Sequence, residues 1–170
     1  LEIHFPGCSA PIATTTCRRT PPAAMMIPTV ATNRATGTCL APIAGTTATP
    51  AYSPAITSTT GPCYSAGPVS VTLSLAGTPV TLTDARIAAT YSGNPAATTV
   101  NGLLTGFVAE ATADNTILTL PVLGMRTLSS LLPVGTGNCS PRDDRDMNGA
   151  ARGWWFYLNF TAPRVTWVDN

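Results

Sequence analysis

Between Gly67 and Leu75 the chain alternates without a break, with Val69, Val71, Leu73 and Leu75 interleaved by Ser70, Thr72 and Ser74. Successive side chains of an extended strand point to opposite faces, so this pattern describes a strand with one buried and one wetted face. Gly77-Thr78-Pro79 then predicts a turn. Val80 and Leu82 continue on one phase, whereas Ile87, Ala89 and Tyr91 fall on the other. A switch of phase needs an extra residue or a strand that crosses between sheets, which places a β-bulge or crossing at residues 84–86. Ser92-Gly93-Asn94-Pro95 closes the segment.

Downstream, Leu103, Leu104, Phe107, Val108 and Ala111 fall on one face at helical spacing, with Asn101 placed as an N-cap and Asp114-Asn115 as a stop. An amphipathic helix is expected over residues 101–113. Residues 117–122 read as a strand, and residues 128–132 as one helical turn closed by Pro133. Trp154, Phe156, Leu158 and Phe160 alternate with Trp155, Tyr157 and Asn159, and Val165 and Trp167 follow after Pro163. Large apolar or aromatic side chains on both phases of 154–158 indicate a central strand covered on both faces. The expected fold class is mainly β: a small antiparallel β-sandwich or barrel-like domain over residues 67–170, with one short amphipathic helix.

Residues 1–66 have a different texture. They are rich in Thr, Ala and Pro, lack a sustained period, and between Thr20 and Thr83 carry Arg34 as the sole charge. Cys8, Cys17, Cys39 and Cys63 fall here, at spacings of 9, 22 and 24, while Cys139 stands alone downstream. None forms a CxxC pair, and His4 is the only histidine, so disulfides explain these cysteines better than zinc or haem attachment. Five cysteines leave one unpaired or bonded to another chain. The reading is an extended, irregular, disulfide-stapled arm that lies on its own domain or on a neighbour, in an oxidising compartment. Secretion or display at the cell surface is the expected localisation, and Leu1 in place of Met fits a removed leader.

Charge narrows the partners. All nine basic residues are arginine, eight acids oppose them, and only 10% of the chain is charged. A net charge of +1 without a cluster gives no basis for binding nucleic acid or an anionic membrane. No apolar run approaches the roughly 18–20 residues of a membrane helix, so no transmembrane segment is expected.

The strongest local motif lies at residues 143–149, where Asp144, Asp146 and Asn148 precede Gly149 as in the first half of a calcium loop. Alternate oxygen side chains on one side of a tight turn suit a hard cation, and the glycine lets the backbone bend around it. Trp155 replaces the closing glutamate, which rules out an EF-hand. A looser calcium site would use Asp143, Asp144, Asp146 and Asn148, completed by carbonyls, Asp169 or water. The competing reading is a solvated turn whose acids pair with Arg142, Arg145 and Arg152.

Nucleophilic catalysis lacks its parts, since the lone His4 sits near the chain start and neither a G-x-S-x-G elbow nor a phosphate-binding glycine loop occurs. A carboxylate pair drawn from Asp143, Asp144, Asp146, Glu110 and Asp114 is the remaining hydrolytic option. Asn138-Cys139-Ser140 and Asn159-Phe160-Thr161 match the N-glycosylation pattern. Among the aromatics, Trp155 and Tyr157 lie on the phase opposite Trp154 and Phe156. Such rings most often build the core of a β domain; members that stay exposed would form a sugar-stacking platform or an assembly contact, with these two and Trp167 the candidates.

The expected function is therefore a non-catalytic, secreted structural or assembly subunit that packs through its charge-poor arm and associates with itself or with other extracellular proteins. The alternative is a calcium-stabilised extracellular binding module, for carbohydrate. A hydrolase using the acidic loop ranks third.

Overall fold

The structure, a computed structural model, describes residues 11–13, 16–18, 32–46, 55–93, 97–135 and 142–168. Its centre is an antiparallel sheet of six strands curled as a half-barrel. Four long strands carry it: β6 (Cys63–Leu75), β7 (Thr78–Ser92), β8 (Thr98–Ala109) and β12 (Ala151–Pro163). The short strands β3 (Thr32–Arg34) and β11 (Asp146–Asn148) flank them, giving the order β11-β12-β8-β7-β6-β3. The mainly β class read from the alternation is the class observed.

The alternating segment forms β6, with Val71 buried and Ser70 and Ser74 exposed. Its turn falls one residue earlier than expected, at Ala76-Gly77, both at positive φ, 49° and 83°. That handedness suits the tight two-residue hairpin turns that match strand twist, so Thr78 and Pro79 already belong to β7. The phase switch is a bulge: pairing slips between Thr83 and Arg86, and Asp84 takes φ 49°. Ala85 and Ile87 are thereby returned to the core side, where both are buried.

The helix expected over residues 101–113 is corrected. Residues up to Ala109 form β8, the helix α1 spans only Glu110–Asn115, and a 3-10 turn, Ser129–Leu131, follows β9 (Ile117–Leu120) and β10 (Gly124–Thr127). Leu104 and Val108 enter the main core, whereas Leu103 and Phe107 pack on the opposite face with Trp155 and Tyr157. An apolar pattern at i, i+1, i+4 and i+5 fits a helical stripe and a strand buried on both faces equally well. Gly102 and Gly106 decide between them, because each costs a helix about 1 kcal/mol and each leaves space that a neighbouring strand fills. A Cβ at Gly102 would lie 2.6 Å from the Phe160 ring, and one at Gly106 would lie 2.8 Å from the Leu82 Cβ.

Each face of the sheet has its own cover. The main core joins Val80, Leu82, Ile87, Leu104, Val108 and Trp154 to Ala113, Leu118 and Leu128 from the segment between β8 and β12. On the other face, Leu40 and Ile56 close over Leu103, Phe107, Trp155 and Tyr157. Leu40 ends β4 (Thr38–Leu40), which pairs with β5 (Thr59–Thr60). The described parts of residues 1–66 thus pack on their own chain, and the change of texture at residue 67 falls inside β6.

Cys39 and Cys63 form a disulfide with a Cα–Cα distance of 6.4 Å, tying β4 to β6. Cys17 is also disulfide-bonded and is buried in β2 (Thr16–Arg18). That strand pairs antiparallel with β1 (Pro11–Ala13) and parallel with β13 (Thr166–Val168). Cys8 and Cys139 lie outside the described residues. No helix among the described residues is long and apolar enough to cross a membrane.

Candidate functional site

The acidic segment is built where the end of β8, the start of α1 and the approach to β11 meet. Two backbone hydrogen bonds hold it against the strand-like stretch at Val134, from Gly135 N to Arg142 O at 3.0 Å and from Asp144 N to Pro133 O at 3.3 Å. Arg145 is its hub. The guanidinium grips Asp143 from two nitrogens, at 2.8 and 2.7 Å, reaches Glu110 Oε1 at 2.5 Å, and donates to the Val134 carbonyl at 3.0 Å. Arg152 adds a second cation on Asp143 at 2.9 Å. Planar guanidinium forks match carboxylates in two-point contact, which orients both partners. The hydrogen bonds from Arg145 hold the Asp143 carboxyl far below the usual carboxylate range.

Asp144 is buried and paired with Arg142. Asn148, on β11, donates to Asp84 at 2.6 Å, linking this hairpin to the bulge of β7. Asp146 opens β11 half-buried. Three of the four oxygen-bearing residues singled out as calcium ligands are therefore drawn into separate contacts, Asp143 and Asp144 each facing an arginine and Asn148 facing Asp84. Among the described residues no three His, Cys, Asp or Glu side chains converge as a metal-ligand set. A calcium ion at Asp143 would have to displace two guanidinium groups, leaving Glu110 and Arg145 without their present geometry.

The same pairing bears on hydrolysis. A general acid needs a carboxyl whose proton affinity is raised; Arg145 acts in the opposite direction on Asp143. Asp114 is exposed on α1, and His4 lies outside the described residues.

Trp155 and Tyr157 are both buried, as a strand covered on both faces requires, and the alternative of an exposed platform is corrected. The Trp155 ring packs against Phe107 with centroids 5.3 Å apart, tilted by 60°. The Tyr157 hydroxyl accepts from Ile43 N at 3.3 Å and shares a 2.9 Å hydrogen bond with Thr46 Oγ1. Their phase on β12 is as read, opposite Trp154. That face is closed by chain from the N-terminal side, so neither ring is a free stacking surface. Trp167 lies in β13, and its side chain is outside the described set. Asn159 Nδ2, the atom a glycan would need, donates to Thr57 O and Gly102 O, both at 3.0 Å.

Two surface features escaped the sequence reading. One is a shallow cavity of about 110 Å³, lined by Thr32, Ser65, Gly67 and Arg86 among others, too small for more than a few waters. The other is the β9–β10 hairpin, which exposes Val122 at 92% and Leu123 at 53% in its turn, Met125 at 68% on β10, and Ile117 at 50% at its open end. Pro121-Val122-Leu123-Gly124 held the signal, an apolar pair between turn-forming residues. The strand expected over residues 117–122 ends at Leu120, so Val122 lies in the turn.

A half-barrel of antiparallel strands, stapled by a disulfide and carrying an arginine-locked acidic cluster, defines the class as a mainly β protein. No protein-family model, curated protein or solved structure matches the chain.

Proposed function

We propose that this chain is a non-catalytic structural or assembly subunit working in an oxidising, extracytoplasmic setting. The observation that carries the reading is the apolar β9–β10 hairpin, because Val122 and Leu123 in its turn and Met125 and Ile117 on its strands are exposed, while only Leu118 and part of Leu120 enter the core. Soluble monomers seldom keep such a cluster in water unless a partner covers it. An acidic cluster in which Asp143, Asp144 and Glu110 each meet an arginine supports the same reading, since it ties the base of β11 and β12 to the start of α1. The Cys39–Cys63 bond supports secretion, as reducing compartments rarely retain such a crosslink. The arm contributes internally, through Leu40 and Ile56 on the sheet.

The test is the mass of the oxidised protein in solution, by light scattering across the micromolar range, beside a Val122→Asp, Met125→Asp variant. Both positions are exposed, so the variant keeps its melting temperature. The wild type is expected above the mass of one chain, with the variant shifted toward it. A wild type that stays monomeric throughout, indistinguishable from the variant, defeats the proposal.

A further inference from the structure

Resting on the assembly reading, we infer that two copies of this chain join edge to edge through the outer side of β6, antiparallel and centred on Thr72. Within the sheet, β3 covers only Cys63, Tyr64 and Ser65 of that edge. From Val69 to Leu75, β6 pairs with β7 on one side and with no other strand among the described residues. An uncovered edge presents a row of backbone N–H and C=O groups that another extended chain can satisfy. Natural sheets blunt such edges with charges, proline or inward-pointing lysine. Here the stretch from Val69 to Leu75 carries none of these, its pairing with β7 runs without a register shift from Val71 to Leu75, and between Arg34 and Asp84 there is no charged side chain at all.

The sequence of the edge also selects its partner. Read outward from Thr72, the residues on the two sides match in kind: Val71 with Leu73, Ser70 with Ser74, Val69 with Leu75. Antiparallel pairing of two copies about Thr72 sets each of these opposite its counterpart, with both members pointing to the same face of the joined sheet. The apolar row of one copy, which lines the main core through Val69, Val71, Leu73 and Leu75, then continues into that of the other. On the opposite face serine meets serine and threonine meets threonine. A slip of one residue would set apolar against hydroxyl side chains, and a slip of two keeps the match but shortens it, so the centre at Thr72 gives the longest matched stretch. This contact is isologous, closing as a pair through one two-fold axis. It leaves the β9–β10 tip free for a different contact, which is what a subunit of a larger assembly requires. Seven residues form a small interface, so the pair is reversible and concentration-dependent rather than obligate.

The experiment exploits the predicted opposition of Ser70 with Ser74 of the second copy. Both are exposed, so substitution there spares the core. Ser70→Lys, Ser74→Lys places like charges opposite each other twice, and is expected to weaken pairing in sedimentation by roughly tenfold or more. Ser70→Lys, Ser74→Glu places unlike charges opposite each other and is expected to pair at least as well as the wild type. Equal melting temperatures exclude misfolding as the cause. Association that ignores both double variants, or that both abolish alike, overturns the β6 pairing. Should it still respond to the hairpin variant, the assembly reading survives the loss of this one. A wild type monomeric at all concentrations overturns both.

Discussion

Tyr64 sits on the inward phase of β6, and its burial pushes the phenol from 10.0 up to about 12. The cause is desolvation, which penalises the phenolate and favours the neutral form. Up to pH 10 both folded and unfolded chains keep the proton, so stability is unaffected; above it the unfolded chain ionises first and stability falls until the folded group also ionises near pH 12. The loss by then is about 2–3 kcal/mol. Alkaline titration should show a late phenolate absorbance step that Tyr64→Phe removes, and the same variant should flatten the alkaline stability limb. A Tyr64→Phe limb as steep as that of the wild type would contradict this. At this scale the sequence was partly legible. The phase of Trp155 and Tyr157 and the cover on both faces of β12 followed from its residue pattern, but what covers these rings did not, because the covering groups are remote: Ile43 bonds Tyr157 across 114 residues. The loop acids were legible as a cluster, and arginine pairing stood among the readings of it. That Arg145 would be the hub, with Glu110 from another element as its second carboxylate, depended on where α1 begins.

Among the elements, β8 is the one misread, and the reason is physical. Period alone does not separate a helix stripe from a strand with two buried faces; the contents of neighbouring strands do. Gly153 on β12 belongs to the same packing. A Cβ there would meet the Val108 carbonyl oxygen at 2.1 Å and the Phe107 ring at 2.8 Å. Backbone atoms cannot yield as a flexible side chain does, so Gly153→Ala should destabilise the fold by roughly 3 kcal/mol or more, above the usual cost of overpacking. Urea unfolding measures it, and a loss under about 1 kcal/mol would show that β12 can shift away from β8. The bulge at Asp84 was legible because a phase reversal leaves a trace in the sequence. The hairpin tip at Val122 was not, since an apolar run reads the same whether its cover is present or missing.

For the whole molecule, the half-barrel is held at one end by the Cys39–Cys63 bond, which closes a loop with a sequence separation of 24. Restricting the unfolded chain over that loop contributes about 3 kcal/mol, so the Cys39→Ala, Cys63→Ala variant should lose stability of that order in equilibrium unfolding. A loss below about 1 kcal/mol would mean that pairing of β3 and β4 with their neighbours holds this end unaided. What the sequence by itself determined are the properties carried within a strand's length: the β class, the alternation of β6, the bulge, the both-faced β12 and the cysteines available for crosslinking. These depend on side-chain period and residue chemistry, which are local. The tertiary structure alone decided that residues 101–109 extend rather than coil, which groups cover Trp155 and Tyr157, which arginine meets which acid, and which stretch of β6 has no second strand among the described residues. Each of these is settled by groups far apart along the chain, brought together only when the sheet closes on its core.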